Sequence, residues 1–199
     1  TLDKVSTIVA NSQFTVNLVK DLIPNKGKIK FVYPGAIDLN KVKSDSFVEI
    51  KGSPVLITLA RLAKRKGHKA ILKAVKELTF EFPKIQYIIT GEGSEKSHLQ
   101  QLVKKYSLES NVLFTGLVND SQKKYLFGHV DLMVMPTLDE REKRSIEGFG
   151  IAYLEAAFFG IPSIASKVGG TPEAVLHENT GIIIDNNSQL FEALNDLLA

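Results

Sequence analysis

Apolar positions along the chain alternate between two periods. Short runs rich in β-branched residues predict strands at Val5–Ala10, Ile29–Val32, Val55–Leu59, Ile85–Thr90, Val112–Thr115, Leu132–Val134, Ser163–Ala165 and Gly181–Ile184. Between them the spacing shifts to threes and fours. Phe14, Leu18, Val19 and Leu22 share one helical face, Ile71, Leu72, Val75 and Leu78 a second, and Leu99, Leu102, Val103 and Tyr106 a third. Strands apolar along most of their length, separated by amphipathic helices, read as a parallel sheet covered on both faces. The expected fold is a single doubly wound, Rossmann-like α/β domain over residues 1–199. Asn40–Gly52 is the only long polar stretch and reads as a surface loop. The chain opens at Thr1 rather than Met and ends within a helical pattern (Leu190, Leu194, Leu197, Leu198), as a piece of a longer protein would.

Composition narrows the classes without choosing among them. Hydrophobic residues make up 44% of the 199 and charged residues 24%, enough for a buried core and against disorder or coiled coil. A net charge of +3 is too mild to imply nucleic acid, which would need a broad basic face with interleaved aromatics. Cysteine is absent, removing disulfides, thiolate metal sites and cysteine nucleophiles, and a reducing compartment fits. The most apolar stretch, Ile151–Ala165, is too short to span a bilayer and is broken by Glu155, Gly160 and Pro162.

In a doubly wound domain, ligands sit on the loops leaving the carboxyl ends of the strands. The loop after Val55–Leu59 reads Ala60-Arg61-Leu62-Ala63-Lys64-Arg65-Lys66-Gly67-His68 and feeds a helix from near Gly67. Cations beside a helix N-terminus suit a phosphate or diphosphate; a solvated basic turn is the plainer alternative. Gly91-Glu92-Gly93-Ser94-Glu95-Lys96 imitates a dinucleotide fingerprint but has Lys96 where the third glycine belongs, so it reads as a tight turn.

The segment Ser145–Ala157 is the richest. Gly148 and Gly150 beside Phe149 suggest close backbone approach to a ligand where a helix begins. Glu147 precedes that helix, and Glu155 lies within it among Leu154, Ala156, Ala157, Phe158 and Phe159. Eight helical residues would set the two carboxylates ~12 Å apart along the axis, too far for an adjacent acid/base pair. A carboxylate on so apolar a helix must have a partner, either a protein group or a sugar hydroxyl. Gly169-Gly170-Thr171-Pro172-Glu173 reads as a loop, then an N-cap with Pro172 at the first helical position. No Asp-x-Asp, histidine pair at metal-ligand spacing, Walker loop or Gly-x-Ser-x-Gly elbow occurs.

Taken in order, these loops resemble the C-terminal, donor-binding domain of retaining glycosyltransferases of family 4, with GT-B architecture. Val9-Ala10-Asn11-Ser12, the turn Tyr33-Pro34-Gly35-Ala36-Ile37-Asp38, Arg61-Leu62 with Lys66-Gly67, the Glu-x7-Glu stretch Glu147–Glu155, and Gly169–Glu173 follow the family's sequence of motifs over nearly the whole chain. Gly35-Ala36 stands where Asn-Gly is commoner, and the charged run Asp139–Ser145 is longer than in many members. That run reads as a surface loop.

The resemblance implies transfer of a hexose from a nucleoside diphosphate sugar to an acceptor hydroxyl on a glycan or lipid, with retention and without a metal or other cofactor. By the same resemblance Arg61 and Lys66 hold the diphosphate, helped by backbone around Gly148, Phe149, Gly150 and Ile151. Glu147 meets the hexose, Glu155 the ribose and Val118 the nucleobase. The family's acceptor-binding N-terminal domain is not part of this chain, so the isolated piece is expected to be inactive. A cytoplasmic setting, peripheral at the inner membrane face in the full protein, goes with that reading. The competing reading is a non-catalytic nucleotide- or phosphosugar-binding module of the same fold. A phosphorylase of this architecture would need a pyridoxal phosphate lysine in a matching context, which is not found.

Overall fold

The structure is a computed structural model that describes residues 4–23 and 26–198; the opening at Thr1 lies outside the described residues. Six of the eight predicted strands form one parallel sheet: β3 (Val55–Leu59), β4 (Gln86–Thr90), β5 (Val112–Gly116), β6 (Leu132–Met135), β7 (Ser163–Ser166) and β8 (Gly181–Ile184), in spatial order β5-β4-β3-β6-β7-β8. Their side chains alternate between two cores, as period-two strands require. Leu56, Tyr87, Ile89, Leu132 and Val134 face one side, where helices α2 (His68–Leu78), α3 (Lys96–Lys105) and α7 (Leu190–Leu198) pack. Val55, Ile57, Ile88, Met133 and Met135 face the other, under α4 (Asp120–Phe127), α5 (Ile151–Phe158) and α6 (Thr171–Ala174). The predicted faces of α2 and α3 meet their core as expected: Ile71, Leu72, Val75 and Leu78 are fully buried. Burying such side chains stabilises the fold by about 1.5–3 kcal/mol each.

The remaining two strands depart from the expectation. β1 (Ile8–Ala10) and β2 (Ile29–Phe31) pair only with each other, in parallel, through α1 (Gln13–Lys20). On α1 it is Val16 that is buried, while Leu18 and Leu22 from the predicted face are exposed. The unit is tied to the rest of the fold by side-chain contacts rather than by a strand ladder to the main sheet. The Glu173 carboxylate accepts from the Gln13 and Phe14 N–H groups at 2.7 and 2.8 Å, capping α1.

Asn40–Gly52 is not a free surface loop. Phe47, Val48 and Ile50 pack against the second core, and Lys124 and Tyr125 donate to its Asn40, Val42 and Val48 carbonyls. Alternating polar and apolar residues let this irregular strap bury one side while its backbone finds side-chain donors.

A buried polar chain crosses the first core. Thr58 Oγ1 donates to the Val134 carbonyl, so it accepts from the Tyr87 hydroxyl at 2.8 Å. Tyr87 has then used its proton, and His68 Nδ1–H must be the donor to it at 3.0 Å. Protonating His68 would put a charge where burial forbids it. Burial, opposed by the Arg61 carbonyl and aided by Lys66, pushes its pKa down to about 4 from 6.5. The unfolded chain binds a proton as pH falls through 6.5, and the native state does not until about 4. Stability from this residue is therefore complete above pH 6.5 and is lost between 6.5 and 4. The expected loss between pH 7.5 and 5 is about 2 kcal/mol. Urea unfolding of wild type and His68→Gln at both pH values checks this; equal slopes with pH in the two proteins would refute it.

Candidate functional site

Strands progress outward from β3 in one direction and from β6 in the other, so the topological switch lies between these neighbours. Their carboxyl ends carry the loops Ala60–Gly67 and Pro136–Gly150, and the crevice between diverging loops is where such sheets bind ligands. The two loops are held together at their backbones: the Leu138 N–H donates to the Arg65 carbonyl at 2.6 Å.

At the crevice Glu147 Oε2 accepts from Arg65 at 2.9 Å and from Lys66 Nζ, which also approaches Met135 Sδ at 3.5 Å. All three ionic side chains are about nine-tenths buried. Burial works against the charge on Glu147. However, one cation at that Arg65 distance attracts it by about 6 kcal/mol at an effective dielectric of ~20, and here there are two. The carboxyl is accordingly held below its usual range by Lys66 and Arg65, while burial, only partly offset by Glu147, lowers the Lys66 pKa. Lys66 is thus engaged with protein rather than standing free in a basic turn. Arg65, which the sequence reading passed over, shares the carboxylate. Lys64–Lys66 form a 3-10 turn closed by Gly67 at φ +77, which packs on the Pro136 carbonyl and turns Arg65 and Lys66 inward.

Arg61 stays exposed. It lines a cavity of about 260 Å³ over the ends of β3, β4 and β5, together with Gly91, Glu92, Leu117, Val118 and Lys123. It is near enough to Lys66 to depress that residue's pKa. Val118 lines the same cavity as Arg61.

The glycines around Phe149 have an intramolecular reason. Gly148 faces the Asn11 side chain at 3.3 Å for a would-be Cβ, and Gly150, at φ +100, sits on the Tyr153 ring. Phe149 is buried and stacks on Tyr33 with 5.4 Å between centroids. Across the second glycine pair, the Gly170 N–H donates to the Glu147 carbonyl at 2.9 Å. Within the fold, the close approach at these glycines is of loop to loop and of Gly150 to the Tyr153 ring. The N–H groups of Phe149, Gly150 and Ile151, at the start of α5, find no acceptor among the described residues. They lie two to four residues after Glu147, at a helix start whose unpaired N–H groups favour an anion.

Glu155 has the partner its apolar setting demanded. Its Oε1 accepts from Lys123 Nζ at 2.6 Å, in a buried pair that the sequence reading did not identify because Lys123 lies on α4, 32 residues earlier. The two carboxylates of the Glu-x7-Glu stretch thus serve two separate ion clusters. In the Gly169–Glu173 stretch the N-cap of α6 is Gly170, so Thr171 takes the first helical position and Pro172 the second, one later than the sequence suggests. Asp139–Ser145 folds on itself: a 3-10 turn at Arg141–Lys143 is closed by the Glu140–Ser145 bridge and by the pairs Asp139–Arg141 and Glu140–Lys143. Among the described residues, no helix is long and apolar enough to cross a membrane.

A family model described as glycosyl transferases group 1 matches residues 40–199. The chain belongs to the group 1 glycosyl transferases. Among curated relatives of this group 1 chain, it is 32% identical over 148 residues to the GDP-mannose-dependent alpha-(1-6)-phosphatidylinositol monomannoside mannosyltransferase of Mycolicibacterium smegmatis, covering 73% of this chain and 39% of the relative. It is 25% identical over 167 residues to the phosphatidylinositol N-acetylglucosaminyltransferase gpi3 subunit of Schizosaccharomyces pombe, covering 84% of this chain and 35% of that one. The group 1 chain therefore spans well under half the length of these relatives. Anabaena Alr3699/HepE, solved with UDP and glucose, superposes with a TM-score of 0.81 at 24% identity over 96% of this chain and 53% of that one. The C-terminal domain of a group 1 family protein from Francisella tularensis superposes with a TM-score of 0.65 at 21% identity, covering 81% of this chain and 87% of that domain. These likenesses show that the doubly wound fold is shared with those structures.

Proposed function

We propose that this chain is the donor-binding half of a family 4, retaining glycosyltransferase that moves a hexose from a nucleoside diphosphate sugar to an acceptor hydroxyl on a glycan or lipid without a metal ion. The observation that carries the reading is the switch-point crevice, where Lys66 and Arg65 meet Glu147, with the unpaired N–H groups of Phe149, Gly150 and Ile151 following Glu147 along the chain and Arg61 lining a cavity over the ends of β3, β4 and β5. As the anomeric C–O bond breaks, negative charge grows on the departing diphosphate. Fixed donors and cations aimed at that charge lower the barrier without reorganising. In this reading Arg61, Lys66 and the α5 amides around Gly148 hold the diphosphate, and Glu147, already oriented by two cations, receives hexose hydroxyls. Glu155 lies toward the ribose and Val118 toward the base.

The relatives' names, a GDP-mannose-dependent mannosyltransferase and an N-acetylglucosaminyltransferase subunit, support a sugar donor and a lipid-linked acceptor as one option. The exposed apolar residues of the β1–α1–β2 unit, Val9, Leu22 and Phe31 among them, support an acceptor domain elsewhere in the protein, and alone the chain is expected to transfer nothing. In the same reading the full protein works on the cytoplasmic side, peripheral to the inner membrane face.

Calorimetric titration with UDP, GDP and ADP, without metal, tests the reading. One nucleoside diphosphate is expected to bind. Arg61→Ala, at an exposed position, should weaken it by at least ~10-fold, the worth of a charge-assisted hydrogen bond, with the melting temperature unchanged. Binding by none of the three, or binding indifferent to Arg61, would overturn the assignment.

A further inference from the structure

A second cavity, of about 340 Å³, opens between the first turns of α2 and α3. Lys64, His68, Lys69, Glu95 and His98 line it, and it shares no lining residue with the Arg61 cavity. Leu62 and Gly93 lie between the two cavities along their loops, and there the loops touch. The Leu62 N–H donates to the Glu92 carbonyl at 2.9 Å, and a Cβ at Gly93 would lie 2.3 Å from the Leu62 carbonyl oxygen. Polar groups without partners gather in the second cavity. The side chains of Lys64, Lys69, Glu95 and His98 make no hydrogen bond or ion pair among the described residues. The His68 and Lys69 N–H groups at the start of α2, and those of Ser97 and His98 at the start of α3, find no acceptor there either. His68 is only 2% exposed; its Nδ1 is committed to Tyr87, and its Nε2 has no hydrogen-bond partner. A buried polar atom left so is costly, and His68 has this cavity in which to find a partner.

These groups make two demands on an occupant. Lys64 and Lys69 outweigh Glu95, and two helix starts add positive potential, so the cavity favours an anion. Its donors are many and spread over two helices. A carboxylate offers them two oxygens, a phosphate three or four. His68 asks for the opposite. With the ring proton on Nδ1, Nε2 is a bare acceptor, and burial keeps the ring neutral at pH 7. An acceptor beside an anion is repelled unless the ligand brings an O–H. Hydrogen phosphate carries one on phosphorus, a hexose phosphate carries several on its sugar, and sulfate carries none.

We propose that this cavity is a second ligand site, which holds a phosphate group on Lys64, Lys69 and the two helix starts and takes a hydroxyl donor from the same ligand on His68 Nε2. It shares no residue with the donor-binding reading and does not rest on it. The full-length protein is titrated calorimetrically at pH 7.5 with inorganic phosphate, glucose 6-phosphate and sulfate, as wild type, Lys64→Ala/Lys69→Ala and Arg61→Ala. All three substituted positions are exposed, so the variants keep the fold. Sulfate tests His68 without disturbing its bond to Tyr87.

At least one of the two phosphates is expected to bind ~10-fold or more tightly than sulfate, the worth of one hydrogen bond to a buried acceptor. Lys64→Ala/Lys69→Ala should weaken that binding by at least ~10-fold, and Arg61→Ala should leave it unchanged. Inorganic phosphate binding as well as glucose 6-phosphate would assign the donor to the P–O–H, and binding by glucose 6-phosphate alone would assign it to the sugar; either supports the site. Sulfate bound as tightly as the phosphates overturns the proposal, because His68 would then ask nothing of the ligand. Phosphate binding that is lost with Arg61 and indifferent to the two lysines belongs to the donor site and overturns it too, with the donor-binding reading intact. Binding of neither phosphate removes the second site, while the nucleoside diphosphate titrations still decide the donor-binding reading separately.

Discussion

Glu147→Leu is expected to lower folding stability by about 3–5 kcal/mol, because it strands Arg65 and Lys66 as buried cations without a counter-ion. The carboxylate is what makes their burial tolerable. Glu147→Gln keeps an oxygen acceptor but loses the charge, and should fall between wild type and the leucine variant. In the full protein both changes should also reduce transfer, since the same carboxylate is assigned to the hexose. Denaturant unfolding at pH 7.5 gives the stability order. A loss under about 1 kcal/mol for Glu147→Leu would mean that the two cations reach water, and that the buried cluster at the switch point is wrong.

Gly169→Ala is the second large effect. Gly169 adopts φ +62, and a Cβ there would lie 2.1 Å from the Glu147 carbonyl oxygen. The left-handed backbone costs a non-glycine residue roughly 1–2 kcal/mol, and forcing two packed loops apart adds about 1–3 kcal/mol. A loss near 3 kcal/mol is expected in urea melts. Gly160→Ala is the matched control, with φ +72 and no atom within 4 Å of the would-be Cβ. It should lose only the backbone part, about 1–2 kcal/mol. Equal losses at the two positions would show that Gly169 does not press on the Glu147 loop.

The motifs were legible because they are local. Gly67, Gly150 and Pro172 mark loop-to-helix passages whose geometry depends on a few neighbouring residues, and Ile71, Leu72, Val75 and Leu78 declare a helix face by spacing alone. The need for a partner at Glu155 was legible too, since a lone carboxylate on an apolar helix is untenable. Its partner was not. Lys123 looks like any surface lysine of a polar helix until α4 and α5 are laid on the same face of the sheet. Likewise Arg65 sits between two other basic residues, and nothing in that run says which of them turns inward.

By itself the sequence determined the alternation of strand and helix, the eight strand segments, six of which form the parallel sheet, and the order of the loops at their carboxyl ends. Periodicity and glycine positions are short-range properties. Tertiary structure alone decided that β1 and β2 stand apart from the sheet, that Asn40–Gly52 is a packed strap, and that Arg65, Lys66 and Glu147 share one buried cluster while Lys123 and Glu155 share another. Those outcomes depend on which side chains meet across 30 to 80 residues of chain, and on whether a charge pair outweighs the cost of leaving water. Neither quantity has a local signature.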